Sequence, residues 1–173
     1  MSLAVQQNQR KTILIPTIVD DIHAAAVEVA LERMGHRPLR WFTSNLPERT
    51  TCVMDLNEAG PPDFVIYDYF GEIHASDVDI FWNRRIGKPV IESSLHPSDA
   101  GVVKIESERF LTNLLIGFSE SSFSVNGYHA AKRAENKAVQ LRAAKSAGLA
   151  IPPTLITVRA ASILTQAADS NLT

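Results

Sequence analysis

Two neighbouring arginines carry the most legible chemistry in this sequence. Phe81-Trp82-Asn83-Arg84-Arg85 runs from a β-prone apolar stretch straight into a pair of guanidinium groups. A guanidinium presents a planar fork of donors that matches a carboxylate or a phosphate. At the C-terminal end of a strand in an open α/β sheet, such a pair lies where the ligands of these sheets gather. Arg84 and Arg85 are therefore candidate substrate-binding residues for an anion. The plain alternative is a solvated surface pair, or one arginine neutralised by a nearby aspartate. Asp20, Asp21 and His23 form a second polar cluster, just after the first apolar run. That cluster suits acid–base or metal chemistry, and His23 joins the candidate substrate-binding set. An aspartate at this point is equally what a helix start requires, because its carboxylate accepts the first free amides.

The remaining reactive residue types narrow the field. His36, His74, His96 and His129 have no ligand spacing, so no metal site is expected. Cys52 is the only cysteine, which excludes an intramolecular disulfide. It lies in the strand-like Thr-Thr-Cys-Val-Met and reads as a buried, inert thiol. The sequence contains no Gly-x-Gly-x-x-Gly, no Gly-x-x-x-x-Gly-Lys-Ser/Thr and no Gly-x-Ser-x-Gly. A dinucleotide fingerprint, a Walker-type phosphate loop and a hydrolase elbow are thus all disfavoured.

The elements that must position these residues follow from periodicity. Lys11 to Val19 is almost continuously apolar and β-branched, as in a strand buried on both faces of a parallel sheet. Asp20 or Asp21 caps a helix with an apolar stripe of Ile22, Ala26, Val29, Ala30 and Met34, and Gly35 ends it. Arg37 to Phe42 is a second strand, parallel to the first. Thr50 to Leu56 and Phe64 to Tyr69 read as a hairpin about Gly60-Pro61-Pro62. Gly71 to Asp77 reads as a connection, and Asp79 to Arg84 as a return to the sheet. Ser93 to Gly101 reads as loop. Val102 to Phe118 is a helix with Leu111, Leu114, Leu115 and Phe118 on one face. Ser121 to Val125 is extended, and Tyr128 to Ala147 is one further helix stopped by Gly148. Pro152 and Pro153 then lead into a strand at Thr154 to Thr157, followed by a helix from about Ala160 to Ala168.

These elements predict an α/β fold: a Rossmann-like, mostly parallel open sheet with flanking helices, plus a C-terminal helix–strand–helix extension. The expected division is a loose N-terminus at 1–10, an α/β domain at 11–127, and a linker helix with an incomplete second domain at 128–173. A chain of 173 residues with a hydrophobic fraction of 45% can build a core. Its net charge of −2, with both signs interspersed, argues against a nucleic-acid or membrane partner. No apolar run is long enough to span a bilayer and no signal-peptide block opens the chain, so a cytoplasmic location is expected.

The stretch from Asn136 to Thr157 resembles the start of the ATP-grasp domain in RimK-like and peptide-modifying ATP-grasp ligases. The resemblance lies in Asn136-Lys137, Gln140-Leu141, Gly148-Leu149 and Ile151-Pro152-x-Thr154-Leu155-Ile156-Thr157. Trp82-x-Arg84-Arg85 resembles the preceding domain of the microviridin-type ligases, and Asp20-x-x-His23 resembles its beginning more weakly. The resemblance implies a pre-ATP-grasp domain followed by the first part of an ATP-grasp domain. It implies ATP and Mg as cofactors of the complete enzyme, and a peptide or small-molecule carboxylate as substrate, activated as an acyl phosphate. It also implies that Lys137 contacts the nucleotide. Without the resemblance, Lys137 is a solvated helix lysine beside Lys132, Arg133 and Arg142. The second phosphate-binding lysine, the glycine-rich lid and the magnesium ligands of the family are not found in the sequence, so this chain is expected to be inactive alone. The alternative is a free-standing α/β module that binds a small anion or peptide, or that mediates a homodimer.

Overall fold

The computed structural model describes residues 9–56 and 62–158. The chain divides into two compact units between Arg133 and Ala134.

The first unit is built on strand β1 (Thr12–Thr17), buried at five of its six residues. It pairs in parallel with β2 (Arg37–Phe42) on one side and β6 (Ile80–Trp82) on the other. β7 (Phe123–Val125) adds to β6, also in parallel, giving the order β2-β1-β6-β7. The predicted hairpin forms between β3 (Thr51–Asp55) and β4 (Asp63–Asp68), although its connection at 57–61 lies outside the described residues. It does not join the main sheet. With β5 (Gly71–His74), which the sequence had suggested was only a connection, it makes a separate three-stranded antiparallel sheet. Gly71 has φ +92°, which permits the tight turn from β4 into β5. The main sheet is thus wholly parallel, and the antiparallel strands pack against it as their own layer.

Alternation along β1 sends side chains to two cores. Leu14 joins Leu39, Trp41 and Phe81 on one face. Against them pack Ile66 and Ile73 of the antiparallel sheet and Leu111, Leu114, Leu115 and Phe118 of helix α2 (Pro97–Ser121). The predicted stripe of α2 is therefore its buried face. The helix starts five residues before the expected Val102: His96 accepts from the Ser98 amide at 3.3 Å, and Pro97 occupies the first turn. Gly117 lets α2 approach β4, because a Cβ there would overlap the Phe64 ring.

On the other face, Ile13 and Ile15 pack with Ala24 of helix α1 (Ile22–Arg33), and with Leu31, Ile80 and Trp82. The stripe predicted for α1 is not its buried side: Ile22, Ala26, Val29, Ala30 and Met34 are exposed. Two anchors fix the helix's rotation instead. Asp21 caps its start, and Glu28 pairs with Arg40 of β2 at 2.6 Å. The small Ala24, fully buried, then faces the sheet.

The expected single helix over 128–147 is two, α3 (Tyr128–Glu135) and α4 (Lys137–Ser146). Asn136 breaks the run. Its ψ of 116° is extended, and its side-chain oxygen accepts from the Val139 amide at 3.2 Å. Asparagine favours such local bonds over a helical interior. In the second unit, α4 ends at Gly148 with φ +79°, as its spacing predicted. Thr154 to Thr157 is not a strand: residues 151–157 carry no regular structure. A strand needs a ladder, and the Thr154 hydroxyl instead donates locally to the Pro152 carbonyl at 2.9 Å. The helix expected at 160–168 lies outside the described residues.

Candidate functional site at the C-terminal edge of the parallel sheet

β2 adds to one side of β1 and β6 to the other, so the sheet order reverses between β1 and β6. The crevice beyond the C-terminal ends of strands at such a reversal is where open α/β sheets hold ligands. Here it is bordered by Asp20, Asp21 and His23 after β1 and by Asn83, Arg84 and Arg85 after β6. The two polar clusters that are far apart in sequence therefore meet at one edge.

The segment after β6 is laid across the strand ends by backbone bonds. The Asn83 amide donates to Val125 at 3.1 Å and the Arg85 amide to Pro16 at 3.3 Å. Gly87 follows close over Ile18 and Ser44, and exchanges two hydrogen bonds with the buried Thr43 hydroxyl, at 2.8 and 2.9 Å. In this extended chain Arg84 and Arg85 project to different sides. Arg84 turns inward, with its guanidinium 5.8 Å from the Trp82 ring centroid and its Nε 3.2 Å from Asp21 Oδ2. That contact is an ion pair by distance but not an aligned hydrogen bond. The Arg85 side chain is exposed and has no ion pair among the described residues.

Asp21 is the hub of the edge. Its carboxylate accepts from the amides of His23 and Ala24, both at 3.1 Å, and from the buried Thr17 hydroxyl at 3.2 Å. Burial pushes its carboxyl upward, but the Ala24 amide, the Thr17 hydroxyl, the Arg84 charge and the His23 amide outweigh it and hold it below the usual carboxylate range. Asp21 is therefore a fixed anion that caps α1 and anchors Arg84. Of the predicted set, His23 contributes its backbone to this cap, and its imidazole is exposed beside Asp20. Arg85 is the free fork of the site, and Arg84 the tethered one. The helix cap, an aspartate before an apolar helix, was legible in the sequence. The 63-residue separation of the Asp21–Arg84 pair was not.

Lys137 belongs to the second unit. It is the first residue of α4, directly after the Asn136 cap, and its ammonium donates to Gln140 Oε1 at 3.0 Å. A helix N-terminus with a lysine in its first turn favours an anion electrostatically. Among the described residues no group of His, Cys, Asp and Glu has the arrangement of a metal site.

Comparison with protein-family models and with curated proteins finds no match. Solved structures do match. The macrocyclase MdnB from Microcystis aeruginosa MRC aligns at a TM-score of 0.80 and 26% identity over 91% of this chain. The chain carries the fold of the peptide-modifying ATP-grasp ligases. The macrocyclase MdnC from the same organism, bound with its precursor peptide MdnA, aligns at a TM-score of 0.78 and 23% identity over 94% of this chain. A RiPP-associated ATP-grasp ligase from Chryseobacterium gregarium, in complex with ADP and a leader and core peptide, aligns at 0.72 and 20% over 92%. This chain spans about half the length of these ligases: 51% of MdnB, 52% of MdnC and 48% of the Chryseobacterium enzyme. The resemblance read from Trp82-x-Arg84-Arg85 and from Asn136 to Thr157 thus agrees with the likeness of the whole fold. No helix among the described residues is long and apolar enough to cross a membrane.

Proposed function

We propose that this chain is part of an ATP-dependent carboxylate–amine or carboxylate–hydroxyl ligase that acts on a peptide. The observation that carries this reading is the fold shared with MdnB over nine-tenths of the chain. In this reading, residues 11–127 form the pre-ATP-grasp domain and 128–173 begin the nucleotide-binding domain. Arg85 supplies a bidentate anchor for a peptide carboxylate, Arg84 is held beside it by Asp21, and His23 lines the same edge. Lys137 places a point charge at the nucleotide phosphates. ATP and Mg belong to the complete active site, where metal and cationic donors neutralise the transferred phosphoryl group. ATP with Mg would supply the phosphoryl group that activates the peptide carboxylate, with ADP leaving, and phosphate would leave in turn when an amine or hydroxyl joins the carboxylate carbon. This chain alone does not complete that set and does not turn over ATP. It acts in the cytoplasm on peptides, without nucleic-acid or membrane partners.

The test is hydroxylamine trapping with ATP, Mg²⁺ and a glutamate-containing peptide, on a chimera joining this chain to the part of MdnB that it does not cover. The reading predicts a hydroxamate from the chimera and no ADP from this chain alone. A folded chimera that yields none, while MdnB assayed alongside does, refutes it. A second reading, a dimerisation module, is favoured by one observation: the apolar residues Ile22, Val29 and Met34 stand exposed along α1, at 75%, 45% and 61%. Light scattering across concentrations decides it, since this reading requires mass to rise with concentration.

A further inference from the structure

At the opposite edge of the parallel sheet, where β1 and β2 begin, an open cavity of about 450 Å³ is lined by Arg10, Glu32, Gly35, His36, Arg37 and Pro38. We propose that this cavity binds a small oxyanion, a carboxylate or phosphate group, through the facing side chains of Arg10, Arg37 and His36.

Strand register brings the two arginines together. Thr12 of β1 is paired with Arg37 of β2, and the Arg37 amide donates to the Lys11 carbonyl at 2.7 Å. Arg10 lies two residues before Thr12, so in extended chain its side chain leaves on the same face as that of Thr12. Arg37 is its diagonal neighbour across the strands, within reach of a long side chain.

Among the described residues no ion pair neutralises either arginine. Arg40 pairs with Glu28, Arg84 with Asp21 and Arg109 with Glu106, at 2.6, 3.2 and 2.6 Å. Asp79, the carboxylate close to the start of β1, is occupied by the Lys11 ammonium at 2.7 Å and the Thr12 amide at 2.8 Å. The side chains of Arg10 and Arg37 have no such partner among the described residues. Two permanent cations on one face repel, and an oxyanion between them removes that repulsion while filling both donor forks.

His36 adds a third donor. Its Nδ1 accepts from the Lys11 amide at 3.3 Å, which leaves the ring proton on Nε2. The bond also fixes the ring at the cavity wall. Glu32 and the carbonyl end of α1 border the same space and repel negative charge. They restrict the ligand to one compact anionic group and disfavour a polyanion.

The experiment is an amide NMR titration of the whole chain in about 0.15 M NaCl, where long-range surface attraction is screened. Two probes separate the sources of the group: inorganic phosphate for a phosphate ligand, and N-acetylglycine for a peptide carboxylate terminus. The proposal expects saturable shifts at Arg10, His36 and Arg37 with at least one probe. It expects Arg37→Gln to weaken that binding about ten-fold, and Glu32→Gln to tighten it. Neither side chain makes a contact on which the fold depends, and an unchanged amide spectrum elsewhere verifies that each variant is folded. No saturable shift at these residues with either probe, or equal affinity in an Arg10→Gln/Arg37→Gln double variant, overturns the proposal. Because the site is independent of the ligase reading, failure of one leaves the other standing.

Discussion

Replacing Asp21 with alanine removes four interactions at once, and their sizes can be added from the structure. The carboxylate caps α1 through the amides of His23 and Ala24, and loss of such a cap costs about 1 kcal/mol. The Thr17 hydroxyl is fully buried, and stranding it costs about 1–2 kcal/mol more. The ion pair with Arg84 is 31% exposed on the arginine side, so solvent screening limits it to about 0.5 kcal/mol. The sum is about 2–4 kcal/mol, read as a shift in the urea midpoint at unchanged slope. Asp21→Asn keeps the Oδ1 acceptor for both amides, and its NH2, standing in place of Oδ2, donates to the Thr17 hydroxyl instead of accepting from it, so the loss falls to about 1 kcal/mol. The acid side gives a second readout. A carboxyl held below its ordinary value stabilises the fold above pH about 3.8, and that contribution disappears as pH falls through the lowered value. Asp21→Asn therefore flattens the acid limb of the stability curve. An alanine variant within about 0.5 kcal/mol of the parent would show that Asp21 does not organise this edge.

Three further outcomes follow from the packing and the titrating groups. Phe118 stacks on Phe81 at 6.4 Å and also meets Trp41 and Phe64, so Phe118→Ala lowers stability by about 3–5 kcal/mol in the same denaturation assay. His74 bridges Asp63 at 2.7 Å and Glu72 at 2.9 Å, and these hydrogen bonds raise it above 6.5. Its contribution is full below pH about 6.5 and is lost as pH rises through the raised value, so His74→Gln removes a stability slope on the alkaline side of pH 6.5 that high salt also weakens. Burial, helped by the Asp68 charge, pushes the Cys52 thiol up to about 12, so iodoacetamide at pH 8 modifies it slowly until urea unfolds the chain.

The sequence revealed the parallel framework because it is encoded locally. Continuous β-branched runs, an aspartate before the first helix, and glycines at positions 35 and 148 each act within one turn of chain. Leu111, Leu114, Leu115 and Phe118 were legible as a core stripe for the same reason. The misreadings share a cause as well. The face that α1 buries is decided by a distant partner, since Arg40 holds Glu28 and only the small Ala24 fits against Ile13 and Ile15. Periodicity alone points to the larger Ile22 and Met34, which stand in solvent. The break at Asn136 is a competition between helix continuation and a side-chain cap, which apolar spacing does not register. The departure of β3, β4 and β5 into a second sheet depends on Ile66 and Ile73 packing under α2, again a contact between remote segments. At the candidate site, the pattern identified Arg84, Arg85, Asp21 and His23 as polar residues at strand ends. Which arginine is tethered and which is free is information of the third dimension.

The central claim is that the edge between β1 and β6 presents Arg85, with Arg84 held behind it, to a peptide carboxylate. Isothermal titration of a glutamate-rich peptide into this chain, against an Arg84→Gln/Arg85→Gln variant of equal stability, tests it most directly. The account predicts saturable binding that weakens at least ten-fold in the variant, about 1.4 kcal/mol, and weakens in the parent as salt rises. Equal binding by parent and variant, or none by the parent, contradicts it.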